Sequence, residues 1–156
     1  MLITAIIPTY NRVAHLERAI VSVVAQTQPC NELIVVDDGS TDGTVAIVEQ
    51  LAASANIPIR LLRQENRGAA AARNSGIRMA KGRLLAFLDS DDWWLPHKLA
   101  LQTAAMRAHP RSNGMGKRDN IVRRQVAKLD SRLPESVAAT TARNNQCHGR
   151  RSDCWR

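Results

Sequence analysis

Four short apolar runs, Leu2 to Ile7, Glu32 to Asp37, Ile59 to Leu62 and Leu84 to Leu88, are each followed by a helix-like stretch, and this alternation leaves few folds open. The runs lack helical spacing and read as buried strands; Leu84 to Leu88 suits a strand covered on both faces of a parallel sheet. Between them the period changes. Val13, Leu16, Ile20, Val23, Val24 and Thr27 recur at helical intervals, with Asn11 placed as N-cap. Val45, Val48, Leu51 and Ala52 make the inner face of a second helix, opened by the Gly39–Gly43 turn. The alanine-rich Ala69 to Ala80 is a third, which Gly82 is placed to end, and His97 to Ala108 is a fourth. Strands alternating with helices predict an α/β fold: a parallel, doubly wound sheet with right-handed crossovers.

Open sheets of this kind hold ligands outside the carboxyl ends of their strands. Three of those ends are polar here, at Pro8 to Asn11, Asp37 to Asp42 and Asp89 to Asp92, and they are expected to converge on one edge. The last is the most informative. Asp89, Asp91 and Asp92 lie so close together that their charges repel unless a cation sits among them. A hard divalent ion, Mg or Mn, suits such oxygen ligands, taking one or two carboxylates and completing its shell with water and phosphate oxygens. The plainer alternative is a solvated turn or a set of helix caps.

A length of 156 residues fits one domain with a proper core. The net charge of +8 would point to nucleic acid were it spread evenly. It is not. Residues 1–108 carry 11 Lys and Arg against 10 Asp and Glu, whereas residues 109–156 carry 11 against 4. The basicity, with Arg123, Arg124, Arg150 and Arg151, belongs to a tail of low order and weak periodicity around Ile121, Val122, Val126 and Leu129, so no specific nucleic-acid partner is expected. Cys30, Cys147 and Cys154 are odd in number and far apart, arguing for a reducing compartment. Cys147, His148 and Cys154 lack the paired spacing and fourth ligand of a zinc site. With neither a secretory start nor an apolar run approaching the roughly 20 residues that span a bilayer, the expected location is the cytoplasm, including the inner face of the membrane.

At the level of motifs the chain resembles a known family. IIPTYNR (Ile6 to Arg12), the Gln26-Thr27 pair, VVDDGSTDGT (Val35 to Thr44), NRGAAAARNSGI (Asn66 to Ile77) and FLDSDDWWLP (Phe87 to Pro96) are similar to family 2 glycosyltransferases of the GT-A fold. The likeness covers about residues 1–108 and implies the nucleotide-sugar-binding part of a Rossmann-like domain. Such enzymes transfer a sugar from a nucleotide diphosphate sugar, often a UDP-sugar, to an acceptor hydroxyl on a glycan, lipid or protein, usually with inversion and a divalent metal.

What the resemblance implies for single residues is specific. Pro8, Thr9 and Tyr10 contact the nucleoside base, with Asp38 hydrogen-bonding it. Asp89 and Asp91 form the Asp-x-Asp motif, Asp91 meeting the metal, Asp89 the ribose or the metal shell, and Asp92 standing as a nearby alternative. Arg73 is a bidentate phosphate candidate and Arg67 a weaker one. Trp93 and Trp94 could flank a sugar ring, although core packing suits one of them equally. Past residue 108 the likeness stops: Asp119, Asp130 and Glu135 lie in no context resembling the family's general-base motif, and the rise in Arg, Ser and Asn resembles translation out of frame in a truncated gene. Two other readings compete, a nucleotide-binding fragment without catalysis and a receiver-like magnesium module using Asp37, Asp38 and Asp89. The second is weakened because its acidic pair belongs after the first strand, which here ends in Pro-Thr-Tyr-Asn.

Overall fold

The computed structural model describes residues 2–108, which hold four strands alternating with four helices. β1 (Ile3–Thr9), β2 (Glu32–Asp37), β3 (Ile59–Arg63) and β4 (Leu84–Phe87) form one sheet in the order β3-β2-β1-β4, with every pairing parallel. α1 (Val13–Val24) and α2 (Thr44–Ser54) carry the chain stepwise from β1 to β3, whereas α3 (Ala69–Met79) returns it to the far side of β1. With right-handed crossovers, that reversal sets α3 on the face opposite α1 and α2. The junction of β1 and β4 becomes the topological switch point.

The two inner strands are buried at every position. Under α3, Ile6, Ile34 and Val36 pack with Ala72 and Ala80, flanked by Leu62, Ile77, Leu85 and Phe87. Each large aliphatic side chain removed from water contributes roughly 1.5–3 kcal/mol. Helix and sheet meet closely at Gly76, where a Cβ would come within 2.6 Å of Ile6 Cγ2. The outer strands are less covered. Leu85, Ala86 and Phe87 are only half buried, which corrects the expectation of a strand sealed on both faces; among the described residues β4 lies at the edge of the sheet, paired with β1.

Three local expectations also change. β1 does not stop before Pro8 but runs through it to Thr9. Leu88 N–H donates to Ile6 O, so the even residues of β1 turn their main chain toward β4. The next bond of that ladder would run from residue 8 N–H to Leu88 O; Pro8 has no N–H to give, and the pairing with β4 ends at Ile6 with Phe87. Asn11 is not the N-cap of α1; Arg12 holds that position and its side chain does not cap the helix, the Val13 N–H being taken instead by Asp42 Oδ2 from the neighbouring loop, at 3.2 Å. Gly82 does not close α3, whose C-cap is Ala80, and its place is explained by the main chain of β1 pressing against it.

At the opposite edge from the polar strand ends, Glu32 is buried and satisfied. Its Oε1 accepts from Thr4 Oγ1 and from Lys81 N–H, both at 2.7 Å, and Arg60 Nη1 lies 3.4 Å from Oε2. Burial pushes this carboxyl up, but Lys81 N–H, the Thr4 hydroxyl and Arg60 together outweigh it and hold it below its ordinary range. A folded value below the unfolded one, about 4.3, adds stability that is whole above that pH and is lost as pH falls through the folded value. Glu32→Gln should therefore cost about 1–2 kcal/mol at neutral pH, and the gap between variant and wild type should close on acidification. Urea midpoints measured from pH 7 down to pH 3 check this; a gap that persists unchanged would refute it.

The chain divides into two units, Met1–Ala100 and Leu101–Arg156, a division that falls inside α4 (Lys98–Ala108) and before the composition break at His109. The whole sheet belongs to the first. Ile121 to Leu129, the tail arginines, Cys147, His148, Cys154, Asp119, Asp130 and Glu135 lie outside the described residues. Among the described residues, no helix is long and apolar enough to cross a membrane.

Candidate functional site

Because all four strands run the same way, their carboxyl ends share one edge. Thr9 and Asp37 are register partners there, and Asp38 N–H donates to Thr9 O at 2.9 Å. The two loops that follow are stitched together. Asn11, in the left-handed region at φ 48°, donates its N–H to Ser40 Oγ and accepts from Thr41 N–H, each at 2.9 Å. Asp42 joins Val13 and Thr44 across the same gap. Burial alone would raise the Asp42 carboxyl, but the hydroxyl and N–H of Thr44 and the N–H of Val13 hold it below its ordinary range. Pro8 and Thr9 are buried within this edge, and Tyr10 is half-buried beside them.

Asp38 is fully buried and accepts three hydrogen bonds: Oδ1 from Gln64 Nε2 at 2.7 Å and Arg67 N–H at 3.0 Å, Oδ2 from Gly68 N–H at 2.7 Å. It thereby fixes the loop that opens α3. Asp37 accepts from Ser40 N–H at 3.0 Å through Oδ1. Its Oδ2 stands 3.5 Å from Arg63 Nε, close enough for an ion pair but without hydrogen-bond geometry. Thr9 Oγ1 also lacks a hydrogen-bond partner. A buried hydroxyl without a hydrogen-bond partner, costing about 1–3 kcal/mol, beside a carboxylate oxygen held only by an ion pair marks adjoining strand ends shaped for polar contact rather than for packing.

Across the switch point lies the acidic loop. Asp89 is exposed and ion-paired with Arg73 Nη2 from α3, and Asp92 N–H closes a turn onto Asp89 O at 3.0 Å. Arg73 therefore supplies a cation beside Asp89, and the repulsion read from the sequence is met in part by a protein group. Asp91 and Asp92 are half-buried. Among the described residues, no group of three or more acidic, His or Cys side chains gathers as a cation site, so Asp89, Asp91 and Asp92 do not converge as a set of three. That still fits an ion that takes one or two carboxylates. The arginines separate: Arg73 faces Asp89, while Arg67 approaches Asp38 through its main chain and is exposed. The tryptophans separate too. Trp94 is buried at 6% exposure, and Trp93 is 41% exposed with the Arg18 guanidinium 3.9 Å from its ring centre.

Sequence reasoning gave no role to Arg18, Ser22 or Arg63. A signal existed for the first two. Arg18, Ser22 and Gln26 recur every four residues on α1 and just beyond it, beside the apolar stripe of Leu16, Ala19, Ile20 and Val23. All three reach the loop that follows Asp89.

Comparison with known proteins agrees with this fold. The family model described as glycosyl transferase family 2 matches residues 4–153, past the composition break at which the sequence likeness was expected to stop. An Escherichia coli UDP-Glc:alpha-D-GlcNAc-diphosphoundecaprenol beta-1,3-glucosyltransferase is 42% identical over 106 residues, covering 67% of this chain and 41% of that protein. S. aureus TarS 1-349 in complex with UDP-GlcNAc superposes with a TM-score of 0.62 at 32% identity, over 70% of this chain and 32% of that one. A Pyrobaculum calidifontis mannosyltransferase in complex with GDP-Man and Mn2+ gives 0.59 at 34% identity, over 66% and 31%. The chain thus spans less than half the length of these proteins.

Proposed function

Since this chain belongs to glycosyl transferase family 2, we propose that its switch-point edge binds the nucleoside diphosphate sugar of an inverting, metal-dependent transfer to an acceptor hydroxyl. The observation that carries this reading is the meeting, at one edge, of Thr9, whose buried hydroxyl has no hydrogen-bond partner, Asp37, whose Oδ2 has only the Arg63 ion pair, and the Arg73–Asp89 pair. Thr9 and Asp37 offer hydrogen bonds to a base, and the Arg73–Asp89 pair suits a diphosphate. Solved relatives with UDP-GlcNAc or GDP-Man support the donor class and leave the base open between uridine and guanosine.

In this reading Pro8, Thr9 and Tyr10 flank the nucleoside. Asp38, whose oxygens already hold Gln64, Arg67 and Gly68, contributes chiefly by fixing the wall against which the base lies. A guanidinium has five donors, so Arg73 can keep Asp89 and still reach phosphate oxygens. Asp91 with Asp89, or Asp92 in its place, would hold Mn or Mg, and the ion when bound offsets the charge that develops on the departing diphosphate. Asp119, Asp130 and Glu135 lie outside the described residues, so no general base is assigned. Nucleotide binding, with or without turnover, is what the described residues are arranged for.

Calorimetry of the full chain with UDP and with GDP, with and without Mn2+, tests this. One nucleotide should bind about tenfold tighter with metal, and Asp91→Ala should remove that difference. Equal affinity with and without metal would refute the metal role; no binding of either nucleotide would refute the donor site.

A further inference from the structure

From Asp89 to His97 the chain forms neither strand nor helix, so its main chain must be held by other means. α1 and the residues just past its C-terminus supply several of them. Arg18 Nη2 donates to Asp91 O at 3.4 Å, Ser22 Oγ accepts from Trp94 N–H at 3.0 Å, and Gln26 Nε2 donates to Leu95 O at 2.7 Å. Thr27 N–H then donates to Pro96 O at 2.9 Å, and Gln26 Oε1 accepts from Leu99 N–H at 3.0 Å. Successive positions along α1 and just beyond it thus meet successive positions of the loop, as rungs of a ladder. Ser22 and Gln26 lie toward its inner end. Arg18 is the outermost rung, exposed, and its guanidinium also covers the face of Trp93.

We propose that Arg18 is a positioning residue for the Asp-x-Asp loop: by gripping Asp91 O and the Trp93 ring together, it fixes the height and rotation of the segment that carries Asp91. The consequence for metal binding rests on the donor-site reading above; the grip itself does not. The inner rungs keep the loop folded, while the outer rung selects among its conformations. An exposed arginine contributes little to global stability, so its removal loosens the acidic turn without unfolding the sheet. Both halves of the contact count. A lysine retains a cation over the ring but not the planar fork, and restores part of the effect.

The test compares wild type, Arg18→Ala and Arg18→Lys in the full chain by two measurements. Amide hydrogen exchange at residues 91–93 should speed up roughly threefold to tenfold in Arg18→Ala and by less in Arg18→Lys, with Trp94, Leu95, His97 and the thermal midpoint unchanged. Calorimetry with UDP or GDP should show the Mn2+-dependent gain in affinity falling by a similar factor, while affinity without metal stays constant. Unchanged exchange at residues 91–93 overturns the proposal. So does faster exchange accompanied by an intact metal-dependent gain, or by a lowered thermal midpoint, which would make Arg18 merely structural. If the wild type binds neither nucleotide while exchange responds as expected, the donor-site reading falls and the grip on the loop stands.

Discussion

Gly82→Ala should destabilise the protein by about 3 kcal/mol and lower its thermal midpoint by roughly 10–20 °C, although the residue lies in a loop and touches no ligand-facing group. A Cβ at this position would stand 2.5 Å from Thr4 N, 2.6 Å from Thr4 Oγ1 and 2.9 Å from Ile3 C. Those neighbours cannot yield. Thr4 and Ile3 belong to a central strand paired on both sides, and Thr4 Oγ1 is committed to Glu32 while accepting from Gly82 N–H at 2.8 Å. Either the loop withdraws, breaking the Lys81 and Gly82 bonds beneath the sheet, or β1 shifts and disturbs both of its partners. Thermal denaturation of the variant beside Gly68→Ala is the informative comparison. A Cβ at Gly68 would meet nothing within 4 Å, so the strain there is conformational, at φ 85°, and steric overlap is absent. Equal midpoints for Gly82→Ala and wild type would mean that the loop has room the structure does not show.

Gly82 also shows what a sequence conceals. From spacing alone it reads as a helix terminator, because glycine after an alanine-rich stretch is a common way to end a helix. The contact with Thr4 arises between residues far apart in sequence, which no local pattern encodes. The same holds for Asp42 capping α1 from another loop, and for Arg63 standing beside Asp37. By contrast, the strands and their shared polar edge were legible, since an unbroken apolar run followed by helical spacing constrains the chain locally. The edge position of β4 among the described residues was not: burial depends on strand order, and strand order is set by the direction of the α3 crossover. At the site, sequence reasoning found the acids and Arg73 but not their pairing. It assigned Asp38 to the nucleoside base but did not foresee the three protein donors that its carboxylate also holds.

Those three bonds give Asp38→Asn an expected effect well beyond the loss of one charge. In the native protein both carboxylate oxygens accept, with Arg67 N–H and Gln64 Nε2 on one and Gly68 N–H on the other. An amide can accept through only one. Whichever way it turns, its NH2 group confronts a main-chain N–H in a site from which water is excluded, and a buried donor is left unsatisfied. The cost should be about 2–4 kcal/mol, read as a fall in the denaturation midpoint. The damage also has a direction. Gly68 is the N-cap of α3, and α3 carries Arg73 to Asp89, so a displaced Gly68 moves the first turn of the helix that places the phosphate candidate. Nucleoside diphosphate affinity, measured well below the variant's midpoint, should therefore drop by roughly 30- to 100-fold, corresponding to about 2–3 kcal/mol. Gln64→Ala separates the two consequences. It removes one side-chain donor but leaves the Arg67 and Gly68 bonds intact, so it should lower the midpoint less and leave nucleotide affinity nearly unchanged. If Asp38→Asn keeps wild-type stability and loses only affinity, the carboxylate acts on the nucleotide directly, and its three protein bonds are incidental to its role.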